Sequence, residues 1–186
     1  LLRYMEETAE ALDLMNGHYQ IQHLDIKPQN LFLVFNHVKV GDFGLAKLLD
    51  GMRATVTGGV TPLYAAPETF EGWVSRFSDQ YSLAIVFQEL LTGTRPFNGA
   101  NTRQLLMQHI NGVPDLSSLP EADRPIIGRA LAKKPDDRWP TCAALVRELK
   151  LASVAQPPSP PASLSFVPPA PVASNSPPPA SGSPPI

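Results

Sequence analysis

His23-Leu24-Asp25-Ile26-Lys27-Pro28-Gln29-Asn30 decides the reading of this 186-residue chain, because it spaces an acid, a base and an amide along one short stretch. Asp25 and Lys27 stand two apart, so on extended backbone both side chains leave the same side. Asn30 comes directly before an apolar run, Leu31-Phe32-Leu33-Val34, that reads as a strand. Val38-Lys39-Val40-Gly41 follows after only Phe35-Asn36-His37, and so short a connection predicts a β-hairpin. With 34 opposite 38 and 31 opposite 41, Asn30 falls opposite Asp42, where paired Cβ atoms stand about 5 Å apart. An amide oxygen and a carboxylate on adjoining strand ends are the hard oxygen ligands that Mg²⁺ accepts, with water and phosphates completing its shell.

Together with Asp42-Phe43-Gly44 and Ala66-Pro67-Glu68 downstream, these residues resemble the catalytic loop, metal loop and activation-segment end of the eukaryotic-type protein kinases. Asp-Phe-Gly alone is a weak signal, but behind a hairpin and in this order it is specific. The resemblance covers roughly residues 1–150 and points to a bacterial-type serine/threonine member. It implies a mainly α fold, the C-terminal lobe of a two-lobed domain, with a small β-hairpin carrying the catalytic and metal loops. No Gly-rich loop, Val-Ala-Ile-Lys strand or αC glutamate precedes the motif, and the sequence opens at Leu1. The expectation is therefore a kinase domain over 1–151 that lacks its N-terminal lobe and is inactive by itself.

The resemblance assigns roles residue by residue. Asp25 accepts or orients the proton of an incoming hydroxyl, and Lys27 neutralises charge developing on the γ-phosphate oxygens. Asn30 and Asp42 hold Mg²⁺, and with Lys27 they form the contact to ATP. Thr61, in Thr61-Pro62-Leu63-Tyr64-Ala65-Ala66-Pro67-Glu68, bridges Asp25 and Lys27 and helps select a serine or threonine acceptor on a protein substrate. Lys27 followed by Pro28 matches the serine/threonine-specific members rather than the tyrosine-specific ones. His23 is expected to be buried and hydrogen-bonded, shaping the loop rather than acting as a base. Leu24 replaces the arginine that ordinarily grips an activation-segment phosphate, and leucine forms no charge-assisted bond. Control through Thr55 or Thr57 is thereby put in question. Glu68 pairs with Arg138 in Pro135-Asp136-Asp137-Arg138-Trp139, as a buried carboxylate requires.

Around the motif, apolar residues at 5, 8, 9, 12 and 15 predict a helix over 2–15 that ends at Asn16-Gly17 and backs the catalytic loop. Ser78-Asp79-Gln80 reads as the N-terminal cap of a helix over 81–92, apolar on all sides and hence buried. Asp79 has two compatible readings there, a first-turn charge on the helix dipole or a clamp on the catalytic-loop backbone. Gly93 ends that helix, and shorter ones follow over 102–110, 123–132 and 141–151. Residues 45–64, polar and Gly-rich, read as a mobile surface segment. From 152 to 186 the chain carries twelve prolines and no charged side chain, the composition of a disordered linker.

Composition bounds the remaining possibilities. A net charge of −2 gives no reason to expect nucleic acid or an anionic membrane as partner. Cys142 is the only cysteine, so no intrachain disulfide forms, which is compatible with a reducing compartment. No apolar run reaches the roughly 18 residues of a spanning helix, and a cytoplasmic location is expected. Two other readings are a pseudokinase-like scaffold or binding module and a small-molecule phosphotransferase. Intact Asp25, Lys27, Asn30 and Asp42 speak against the first, and the polypeptide platform of the Thr-Pro-x-Tyr-x-Ala-Pro-Glu segment speaks against the second.

Overall fold

The computed structural model describes residues 1–48 and 62–155. Thr55, Thr57, Thr61 and the proline-rich stretch from 156 lie outside the described residues. Helix α1 spans Leu2–Tyr19 and buries Met5, Thr8, Ala9 and Leu12, the face that the apolar spacing predicts. It does not stop at Asn16-Gly17. The helix runs on to Gln20, which takes the left-handed conformation (φ 55°) and donates its amide to Met15. Gly17 costs a helix interior only about 1 kcal/mol, too little to break one that is anchored along a buried face.

A short strand β1 (Ile21–Gln22) leads into the catalytic-loop stretch, and a one-turn 3₁₀ segment over Pro28–Asn30 precedes β2 (Leu31–Val34). Strand β3 (His37–Val40) pairs with β2 antiparallel, Val34 opposite His37 and Leu31 opposite Val40. The predicted register, 34 opposite 38 and 31 opposite 41, is thus wrong by one residue. Phe35 and Asn36 both adopt positive φ (47° and 63°), making a two-residue turn whose twist matches the strands, so His37 belongs to the ladder. Asn30 consequently faces Gly41, whose amide donates to the Asn30 carbonyl at 2.9 Å, and Asp42 lies one residue beyond. Strand β4 (Lys47–Leu48) pairs with β1, so part of the predicted surface segment is ladder, and Tyr64 at its far end is buried.

Helix α1 holds the β2–β3 hairpin, whereas the sequence reading placed it behind the catalytic loop. The Val38 amide donates to Glu7 Oε2 at 2.7 Å and the Tyr4 hydroxyl donates to Asn36 Oδ1 at 2.8 Å. After α2 (Pro67–Phe70), helix α3 (Ser78–Thr92) crosses the interior with residues 78–88 buried, and Gly93 closes it at φ 73°. Its cap differs from the prediction. Helix α3 already includes Ser78, Asp79 and Gln80, and none of them caps its own helix. The Ser78 hydroxyl donates to Glu68 Oε1 at 2.8 Å, while Gln80 pairs with the Trp139 and Thr141 backbone. Helices α4 (Thr102–Asn111), α5 (Arg124–Ala130) and α6 (Cys142–Ala155) complete the bundle, with Pro125 in the first turn of α5. Helix α6 outlasts the predicted domain end at 151 by one turn. It is tied to α1 by Asp13, whose carboxylate accepts the Cys142 and Ala143 amides at 2.9 and 2.8 Å.

Two buried polar groups hold the helices in place. Glu68 and Arg138 pair through two bonds of 2.8 and 2.7 Å, as the sequence implies, with both side chains sealed from solvent. Arg138 also donates to the Ala132 and Phe77 carbonyls and lies over the Tyr81 ring, and Glu68 further accepts from Ser75 and Ser78. Removing either partner strands a buried charge, at about 3–5 kcal/mol. The second group is His109, fully buried among Phe70, Tyr81 and Phe97, its Nδ1 sharing a 2.9 Å hydrogen bond with the Tyr81 hydroxyl.

Burial, reinforced by the ammonium of Lys133, holds the His109 pKa down to about 3, from an ordinary value of 6.5. Below pH 6.5 the unfolded chain therefore binds a proton that the folded chain refuses, so stability falls as pH drops from 6.5 toward 3. By pH 5 the loss from this group is about 2 kcal/mol. Urea titrations at pH 7.5 and pH 5 should show it, and His109→Gln should lose less stability over that interval than the wild type. Equal losses in the two proteins would place the acid sensitivity elsewhere.

Candidate active site

The candidate site sits where the catalytic-loop stretch meets the open end of the β2–β3 hairpin. Its backbone is forced into shape by Asp79 in the first turn of α3. One carboxylate oxygen accepts the His23 amide at 2.7 Å and the other accepts the Leu24 amide at 2.8 Å. Between these bonds and Asp25, Leu24 takes φ 65°, a conformation that costs an L-residue roughly 1–2 kcal/mol. Asp79 is 3% exposed, and burial raises its pKa while the two backbone bonds pull it down. Both sequence readings of Asp79 hold, since it lies in the first turn of α3 and clamps the loop backbone.

The turn at Leu24 delivers Asp25 to a protected position, 7% exposed. Lys27 is extended (φ −154°, ψ 161°), so its side chain leaves on the same side as Asp25, and its Nζ donates to Asp25 Oδ2 at 2.6 Å. The Asn30 amide donates to the same Oδ2 at 3.0 Å and to the Asp25 carbonyl at 2.8 Å. These acceptors fix the orientation of the Asn30 amide, nitrogen toward Asp25 and oxygen away from it. Asp25, Lys27 and Asn30 thus form one cluster.

Asp42 stands across the ladder end from this cluster, exposed and at φ 62°, with Oδ1 accepting the Gly44 amide at 3.3 Å. A Cβ at Gly41 before it would stand 2.8 Å from the ring of Phe32, a half-exposed side chain with room to turn aside. His23 behaves as predicted. Fully buried, it bonds through Nε2 to the Gly41 carbonyl at 3.0 Å, and Phe43 packs on its ring at 4.8 Å. One histidine thereby joins the two loops. An amide oxygen and an exposed carboxylate at adjoining strand ends suit a hard cation such as Mg²⁺. Thr61, the remaining residue predicted for the site, lies outside the described residues.

Sequence reasoning missed a second polar group. The Tyr64 hydroxyl donates to Glu89 Oε2 at 2.6 Å, and Arg95 donates to Glu89 Oε1 at 2.8 Å. Burial beside the Glu89 carboxylate pushes the Tyr64 pKa up to about 12. The available signal was a lone acid, Glu89, within an otherwise apolar helical stretch.

The protein kinase domain family profile matches residues 1–149. Among curated proteins, the serine/threonine-protein kinase PknA of Corynebacterium glutamicum is 38% identical over 145 residues, which is 75% of this chain and 31% of that protein. PknB of Mycolicibacterium smegmatis is 38% identical over 161 residues, covering 79% of this chain and 26% of PknB. Pkn1 of Myxococcus xanthus is 38% identical over 162 residues, 80% of this chain and 23% of Pkn1. The chain spans about a quarter to a third of the length of these relatives.

The clamp makes a prediction of its own. Asp79→Ala leaves two buried amides unpaired, each costing about 1–3 kcal/mol, whereas Asp79→Asn keeps one acceptor oxygen and loses less. Urea denaturation of the two variants should rank them in that order. An Ala variant with the wild-type midpoint would show that the loop is held by something else.

Proposed function

Given that the chain belongs to the protein kinase domain family and is similar to bacterial-type serine/threonine kinases, we propose that it contributes phosphoryl transfer from ATP to serine or threonine of a protein substrate. The observation that carries this reading is the shared Asp25 Oδ2, held by Lys27 at 2.6 Å and Asn30 at 3.0 Å, with Asp25 only 7% exposed. ATP and Mg²⁺ supply the transferable phosphoryl group and the neutralisation of its charge. Asp25 orients the acceptor hydroxyl and holds its proton, the task for which a fixed carboxylate is suited. Lys27 offers positive charge beside it where charge develops on phosphate oxygens. Asn30, its oxygen turned away from Asp25, and Asp42 hold the cation. Thr61 bridges Asp25 and Lys27 and favours a serine or threonine acceptor.

The surface beside the site supports a further part of this reading. Phe32, Leu33, Val34, Phe35 and Phe43 are large apolar side chains at 41–96% exposure around the hairpin. So much apolar surface in one place marks an interaction face. We assign it to an N-terminal lobe that covers the nucleotide. Among the described residues, no helix is long and apolar enough to cross a membrane.

Two assays test the proposal. In a protein that joins this sequence to a nucleotide-binding lobe, Asp25→Asn should lower transfer to a generic serine/threonine substrate by roughly 10²–10⁴-fold, the worth of a positioned base. Transfer unchanged by Asp25→Asn removes that role. The 186-residue chain assayed alone should bind Mg-ATP poorly and transfer little phosphate, since it contains no glycine-rich loop or Val-Ala-x-Lys strand. Turnover comparable to that of the joined protein would refute the dependence on a second lobe.

A further inference from the structure

Helices α1 and α6 pack side by side and leave a groove of about 330 Å³ between them, lined in part by Val146, Leu151 and Val154. The apolar floor continues onto exposed surface, with Leu151 59% and Val154 85% exposed in the last turns of α6. Four charged residues also line it, Glu6 and Glu10 from α1 and Arg147 and Lys150 from α6, two of each sign, and Lys150 Nζ pairs with Glu6 Oε1 at 2.7 Å across the two helices. The groove therefore favours an occupant with apolar bulk and no net charge.

The chain supplies such a segment itself. Residues 156–186 contain no Asp, Glu, Lys, Arg or His, and within them Leu164-Ser165-Phe166-Val167 is the one cluster of large apolar side chains, with Phe166 the only aromatic residue. Leu164 follows Ala155, the end of α6, by nine residues, and nine residues span up to about 30 Å. The groove runs along α6 from Ala143 to Val154, about 17 Å at the rise of a helix, so the connection is long enough to reverse and lie along it. A short tether also holds the segment at a local concentration in the millimolar range, which makes modest contacts sufficient. We propose that Leu164–Val167 folds back onto the α1–α6 groove of its own chain, with Phe166 against Leu151 and Val154. This inference is independent of the phosphoryl-transfer reading.

Methyl-labelled nuclear magnetic resonance on the full 186-residue chain tests it. Nuclear Overhauser contacts are expected between the Phe166 ring and the Leu151 and Val154 methyls, at a strength independent of protein concentration. Phe166→Ala should shift those methyl signals while leaving core methyls such as those of Leu83 and Ile127 in place. Leu151→Glu, at an exposed helix position, should abolish the contacts with the helical circular dichroism unchanged. The proposal is overturned if the wild-type chain shows no such contacts, or if Phe166→Ala leaves the Leu151 and Val154 signals where they were. Contacts found only between labelled and unlabelled chains in a mixed sample would overturn it in favour of a second copy as occupant. If Leu151→Glu fails to fold, the Phe166→Ala comparison decides alone, since it alters no residue of the helices.

Discussion

Asp79 is the constraint on which the site geometry depends. A carboxylate with almost no solvent contact is costly to bury, and here its two oxygens are spent on the His23 and Leu24 amides. Those bonds hold Leu24 in the left-handed region, and the reversal that follows sends Asp25 back toward Lys27 and Asn30. Leucine disfavours positive φ, so the turn at Leu24 has no local source, whereas the extended backbone of Lys27 is what the following Pro28 imposes. The turn is therefore imposed by a helix some 55 positions later in the chain.

A helix can impose geometry only if it is itself immobile, and the polar interior explains why α3 is. Ser78 is bound to Glu68, Gln80 to the backbone on either side of Trp139, and Tyr81 lies between Arg138 and His109. These contacts fix the rotation of α3 about its own axis. Apolar burial alone specifies rotation weakly in a helix that is hydrophobic on every side. The Glu68–Arg138 pair then connects α2, the start of α3 and the segment before α6 through one guanidinium whose donors are shared among a carboxylate and two carbonyls. Such a pair adds less to net stability than its bonds suggest, because both ions were dehydrated to form it. Its contribution is to orient the pieces.

How much of this was legible in the sequence follows from the range of each interaction. Asp25, Lys27 and Asn30 lie within six residues, so their convergence could be read from spacing on extended backbone. The amphipathic face of α1 and the buried length of α3 were legible for the same reason. The hairpin register was not, because it turns on whether a phenylalanine accepts positive φ beside Asn36. Sequence preference argues against that at Phe35, and pairing of two strands outweighs it. The end of α1 was misplaced because Gly17 is a weak stop in a helix anchored along a buried face, and that of α6 because Ala152-Ser153-Val154-Ala155 holds no helix breaker. Asp13 capping α6 from across the bundle, 129 positions away from Cys142, left no local trace.

The division between buried and exposed groups bears on how the proposed site works. The residues that set backbone shape, Asp79, His23 and Leu24, are all shielded from water, whereas Asp42 is exposed on a left-handed residue that leads into Phe43 and Gly44. His23 is the hinge between the two classes. Its Nε2 bond to the Gly41 carbonyl fixes the strand end, and its ring face carries Phe43, which is half exposed. Rotation of the 42–44 backbone would therefore lift Phe43 from the imidazole without disturbing the Asp25–Lys27–Asn30 cluster, whose bonds all lie on the other side of Gly41 in the chain. Asp25, Lys27 and Asn30 are bound into one unit, and Asp42 stands apart from it, its carboxylate accepting the Gly44 amide.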